Sequence, residues 1–124
     1  MKTDQEINAL TEKIIGCAYS VANELGFGFL EKVYENALFV ALTKAGLVAK
    51  QQEPIVVRFQ GVVVGEYFAD LLVEGVVIIE LKSARAIDEA HKAQCVNYLK
   101  ATGKCVCLLI NFGPDKVEVK RFRN

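Results

Sequence analysis

Glu80 and Lys82 close the apolar run Val76-Val77-Ile78-Ile79-Glu80-Leu81-Lys82. Side chains alternate along a strand, so positions 80 and 82 share one face while Val77, Ile79 and Leu81 share the other. Charges at the end of a buried strand are costly unless they are paired or bind a ligand. A salt bridge at the strand end is one reading. Asp70 opens a second one. It interrupts another apolar run, Tyr67-Phe68-Ala69-Asp70-Leu71-Leu72-Val73, which should pair with the first. Register decides whether the three charges meet. A two-residue loop at Glu74-Gly75 pairs Asp70 with Ile79, on the wrong face. A three-residue loop, Val73-Glu74-Gly75 with Gly75 left-handed, pairs Asp70 with Ile78 and brings it to the face of Glu80 and Lys82.

Two carboxylates beside a lysine suit metal-assisted hydrolysis of a phosphodiester. Asp70 and Glu80 offer hard oxygen ligands to Mg²⁺, or to Mn²⁺ in its place. Such a metal polarises the phosphate and acidifies a bound water, and Lys82 orients that water or stabilises charge in the transition state. The carboxylates also repel each other. At about 5 Å and an effective dielectric near 20 the cost is roughly 3 kcal/mol before Lys82 offsets part of it. The chain has one histidine and no evident Ser-His-Asp or Cys-His set, so triad chemistry is a poor fit.

These residues need a scaffold, and the periodicity supplies one. Thr3 to Glu6 fits a capping box. Ile7, Leu10, Ile14, Cys17, Val21 and Leu25 then form one helical stripe, broken by Gly26 and Gly28. A second helix is predicted over residues 30–45, with Val33, Ala37, Leu38, Ala41 and Leu42 as its apolar set and Gly46 as its stop. Residues 55–59, 62–73 and 76–82 are β-branched and aromatic, with Gln60-Gly61 and Glu74-Gly75 between them, as in an antiparallel meander. A third helix follows over 87–101, closed by Gly103. Residues 105–112 are apolar on both faces, as in an interior strand. After a Gly113-Pro114-Asp115 turn, residues 117–122 alternate as a last strand. The order α-α-β-β-β-α-β-β predicts an α/β fold with a mixed sheet and helices on both faces.

At 124 residues and 52% apolar content, the chain suits a single domain spanning 1–124 with a real core. No apolar run is long enough to span a bilayer, and the N-terminus lacks a signal-peptide stretch, so a cytoplasmic protein is expected. Cys17, Cys95, Cys105 and Cys107 show no zinc-like spacing and sit among apolar neighbours, as buried reduced thiols do. Net charge is zero overall but uneven: −2 over residues 1–46, −2 over 47–82 and +4 over 83–124. A basic final third beside an acidic remainder suits either ordinary solvated surface or a polyanion held over a metal-binding carboxylate cluster.

Asp70, then nine residues, then Glu80-Leu81-Lys82 resembles the core motif of the PD-(D/E)xK nuclease superfamily, with Ala69 where a proline is usual. Gln94 and Tyr98 resemble the QxxxY element of its RecB-like branch. Gly28-Phe29-Leu30-Glu31-Lys32-Val33-Tyr34 is similar to the signature of the small GxxExxY family, as are Phe112-Gly113 and Lys120-Arg121. The resemblance implies a restriction-endonuclease-like αβββαβ core. It also implies metal-dependent cleavage of nucleic acid, DNA rather than RNA, with Glu31 joining Asp70 and Glu80 near the metal and Gln94 and Tyr98 joining the catalytic set. The rival function is an inactive module of the same fold that binds nucleic acid or a protein. A chain this small has little surface to grip a duplex, so a homodimer is plausible.

The remaining polar residues have plainer expectations. His91, three before Gln94 on one helix face, reads as a surface residue. Tyr34 reads as a core aromatic with a bonded hydroxyl. Glu35 lies one helical turn after Glu31, so it is either solvated or neutralised by Lys82 or a metal.

Overall fold

The structure, a computed structural model, describes residues 2–124. The elements are α1 (Asp4–Leu25), α2 (Glu31–Lys44), β1 (Ala49–Phe59), β2 (Val62–Val73), β3 (Val77–Lys82), α3 (Glu89–Thr102), β4 (Val106–Phe112) and β5 (Val117–Arg123). One sheet holds all five strands in the order β1-β2-β3-β4-β5. Only β3 and β4 run parallel, because α3 carries the chain back between them.

Local chemistry sets most boundaries. The Thr3–Glu6 capping box forms as expected, and Gly103 ends α3 in the left-handed conformation. Asp88 Oδ1 accepts from the His91 N–H, and the His91 ring Nδ1 accepts in return from the Asp88 N–H, so the single histidine completes a helix cap. The last strand starts at Val117 as expected.

The helices divide the core into two layers. Ile7, Ile14, Val21, Tyr34, Leu38 and Leu42 from α1 and α2 pack on one sheet face against Val77, Ile79, Leu108 and Ile110. On the other face, Cys95, Tyr98 and Leu99 from α3 pack against Ile78, Cys107 and Leu109. All of β4 is buried, as its unbroken apolar sequence requires. Cys95 and Cys107 are buried, whereas Cys17 and Cys105 are only half-buried. On α2 the inward face is Tyr34, Glu35, Leu38 and Leu42; Val33, expected inside, is exposed. The bulky tyrosine turns that helix so that the position before it faces solvent.

Strand β1 starts at Ala49, six residues before the expected start, and β1 and β2 together turn over midway. Leu71 and Val73 face α1 and α2, while Ala69 and Tyr67 lie on the α3 side. A regular pleat would keep all four on one face. On β1, Ala49 and Ile55 are split in the same way, and Gln52 between them has φ 53°. The register is the same on either side of Gln52, so the turn-over is a shared twist and not an inserted residue.

Candidate metal centre

The β2–β3 ladder runs Val73↔Val77, Leu72↔Ile78, Leu71↔Ile79 and stops. The loop is Glu74-Gly75-Val76, one residue later than expected. Val76 N–H donates to Val73 O, and Glu74 (φ 53°) and Gly75 (φ 71°) are both left-handed. Asp70 therefore stands opposite Glu80, not Ile78. A second left-handed residue ahead of Gly75 lets the chain reverse within the three residues that follow Val73.

Where the ladder stops, side chains replace it. The Asp70 N–H donates to Glu80 Oε1 at 3.1 Å, and the Leu81 N–H donates to Asp70 Oδ2 at 2.7 Å. Both carboxylates are thus fixed by backbone donors from the opposing strand. Their far oxygens, Asp70 Oδ1 and Glu80 Oε2, are left to face the gap, with only a 3.4 Å contact from Gln52 on the former.

The electrostatics follow from this crowding. Burial pushes the Glu80 carboxyl up to about 8, and the neighbouring Asp70 charge pushes the same way. Asp70 is raised by burial, while the Leu81 N–H opposes that rise. Glu31 is raised by burial and then by Asp70. Lys82 opposes each of these three rises, yet forms no ion pair or hydrogen bond among the described residues. The salt bridge that the sequence allows at this strand end is absent among the described residues.

The other expected residues arrive from two helices. Glu31 opens α2, held there by its flanks. Tyr34 is buried, stacks on Phe112 at 4.4 Å and donates its hydroxyl to Gly26 O at 2.8 Å; the Phe29 N–H donates to the same hydroxyl. The Ser83 hydroxyl donates to Phe29 O, tying the start of α2 to the segment after Lys82. Asn111, fully buried, exchanges two hydrogen bonds with the Ala84 backbone and fixes that segment from β4. From α3, Gln94 Nε2 donates to the Tyr98 hydroxyl at 2.9 Å. Burial and the nearby Glu80 charge push Tyr98 up to about 12. Tyr98 therefore borders the carboxylates, while Gln94 reaches them only through Tyr98.

Two participants were not legible in the sequence. Glu35 is 3% exposed and accepts from Lys32 (3.0 Å), Gln51 (2.7 Å) and Gln52 (2.9 Å), so it is neither solvated nor paired with Lys82. Gln52 spans Glu35 and Asp70 from its left-handed position. The only sequence signal was Gln51-Gln52 in a strand that otherwise turns apolar at Ile55.

Among the described residues, no three His, Cys, Asp or Glu side chains are close enough to cage an ion. Mg²⁺ does not need a cage; it is held by one or two carboxylates, keeps several waters and takes the remaining oxygens from a phosphate. Two backbone-fixed carboxylates with free far oxygens fit that requirement.

The model of the PD-(D/E)XK nuclease superfamily matches residues 8–122. No curated protein matches the chain. Among solved structures, the crystal structure of SSO0001 is similar in fold, with a TM-score of 0.58 and 18% identity. That likeness covers 76% of this chain and 50% of the other, so this chain spans about half the length of that protein.

Proposed function

Because the chain belongs to the PD-(D/E)XK nuclease superfamily, whose members generally use divalent metal ions, we propose that it is a metal-dependent nuclease that hydrolyses phosphodiester bonds in DNA. The observation that carries this reading is the pairing of Asp70 and Glu80 across the end of the β2–β3 ladder, each fixed by the other strand's backbone N–H. Structural carboxylates would not be buried side by side with Lys82, whose charge reaches both, left unpaired among the described residues.

Asp70 and Glu80 would hold Mg²⁺ or Mn²⁺ through their far oxygens, while Glu31, at an exposed position at the start of α2, feels the Asp70 charge without completing a three-carboxylate cage. The bound ion supplies Lewis-acid polarisation of the phosphate and a more acidic water. Lys82 stabilises charge that builds on the phosphate oxygens, for which an unpaired ammonium is suited. Gln94 holds the Tyr98 hydroxyl beside Glu80, and Tyr98 shields that carboxylate from bulk water. The Gly28–Tyr34 segment supports assignment to the GxxExxY branch. Cys95 and Cys107, buried as free thiols, suit a reducing, cytoplasmic setting.

The test is cleavage of labelled DNA and RNA, single- and double-stranded, with Mg²⁺ and with Mn²⁺. DNA should be cut with either ion and left intact in EDTA, and Asp70→Asn should lose both turnover and metal binding. No cleavage of any polymer by a protein that still binds DNA would leave an inactive binding module in its place.

Gln52 gives a sharper check of the geometry. Left-handed backbone costs a non-glycine residue roughly 1–2 kcal/mol, and glycine escapes that cost. Gln52→Gly relieves that backbone cost but removes a donor from the buried Glu35 carboxylate, so its melting temperature should change little. It should nevertheless lose about 10–100-fold in turnover, because the bridge from Glu35 that orients Asp70 is gone. Unchanged turnover would show that Asp70 is oriented by the Leu81 N–H alone.

A further inference from the structure

The β1–β2 ladder continues to Phe59↔Val62, well past the point where β2 leaves β3. The hairpin end thus projects beyond the sheet and faces α3. Between them lies a groove of about 990 Å³ whose lining includes Lys82. Arg58 and Tyr67 line it from the hairpin, and Gln94, Asn97 and Lys100 from α3. No carboxylate side chain is among its lining residues. Three permanent cations, Arg58, Lys82 and Lys100, therefore share one wall-to-wall cleft in a chain whose net charge is zero. Asp70 and Glu80 lie behind this lining and connect to it through Lys82 and Tyr98, both of which line the groove and interact electrostatically with the two carboxylates.

Tyr67 is the second feature. It is 51% exposed, leaning on Tyr98 at 5.7 Å with the rings tilted by 52°. The ring is half-exposed and lines the groove. An exposed aromatic among cations stacks an unpaired base while the cations take the backbone. A duplex offers no free base face there, and an acidic peptide would leave the ring unused. Asn97, exposed, and Gln94 line the same groove and add amide groups that suit base edges.

We propose that this groove holds a single-stranded stretch of nucleic acid, with Tyr67 stacking a base and Arg58 and Lys100 contacting phosphates, and feeds the strand past Lys82 to Asp70 and Glu80. The inference rests on the nuclease reading and adds the substrate class: an unpaired strand or the frayed end of a duplex. Neither Arg58 nor Tyr67 belongs to the motif residues of the site, so the groove can be tested apart from catalysis.

The experiment is fluorescence anisotropy in EDTA, where cleavage is suppressed. The probes are a labelled oligothymidylate of about 15 nucleotides and a duplex of equal length. The single strand should bind about tenfold tighter than the duplex. Tyr67→Ala should weaken it about tenfold, and Tyr67→Phe should bind as the parent does. Arg58→Ala with Lys100→Ala, both at exposed positions, should weaken binding and reduce the salt slope by about 1.4, or 0.7 per lost phosphate contact. Equal or tighter binding of the duplex, or an unchanged affinity in Tyr67→Ala, would overturn the groove assignment. Cleavage with Mg²⁺ is scored separately. Tight, Tyr67-dependent strand binding without cleavage keeps the groove and removes the nuclease reading. Cleavage that ignores Tyr67 does the reverse.

Discussion

Lys82→Ala is expected to slow DNA cleavage by about 10²–10³-fold, the usual loss when one group that stabilises transition-state charge is removed. Lys82 makes no ion pair among the described residues and its charge reaches all three carboxylates of the site. Its removal should leave the fold intact. It is not a metal ligand, so calorimetry should still detect Mg²⁺ or Mn²⁺ binding. That binding should weaken only modestly near neutral pH, because without the ammonium the carboxylates hold their protons more tightly. Lys82→Arg keeps the charge and should recover part of the rate. A Lys82→Ala protein that cleaves as fast as the parent would remove the role assigned here.

The second large effect is on stability, and its sign follows from Glu80. Burial and Asp70 push its carboxyl up to about 8 in the folded chain, against an ordinary value of 4.5. Between those values the folded protein holds a proton that the unfolded chain has lost, so raising the pH favours unfolding. Each tenfold difference in proton affinity is worth about 1.4 kcal/mol, which makes the loss on the order of 5 kcal/mol from pH 4.5 to 8. In EDTA the melting temperature should fall steadily across that window. Glu80→Gln should flatten the curve and melt higher at pH 8, since a neutral amide needs no proton to be buried. Mg²⁺ should stabilise the parent by mass action, roughly 2.7 kcal/mol at 100 times its dissociation constant, and Glu80→Gln much less. A structural ion pair between Glu80 and Lys82 predicts the opposite: no fall over the window and a lower melting temperature for Glu80→Gln throughout. Thermal scans at a few pH values, with EDTA and with Mg²⁺, separate the two.

The discrepancies between sequence and structure have specific causes. A single left-handed glycine predicts a β2–β3 loop over Val73–Gly75; Glu74 is left-handed as well, and the loop moves one residue on. A regular pleat fixes the face of Asp70, but β1 and β2 turn over between Ala69 and Leu71, at the level of Gln52. Asp70 still meets Glu80, by standing opposite it where the ladder ends. Glu35 looked like a surface charge because its partners, Gln51 and Gln52, lie on another element.

The sequence by itself determined what local forces decide. Examples are the capping box at Thr3, the stop at Gly103, an interior strand within one residue of its observed start, and the rise of Glu80 and Lys82 from one strand face. Those signals depend on neighbours within about one helical turn or one pleat. Tertiary structure alone decided which carboxylates share a site, which glutamate is buried, and that Lys82 lines a cationic groove. Each of those depends on distant segments meeting at a fixed distance. A twist of one strand pair by a half-turn moves every such meeting and leaves no periodic mark in the chain.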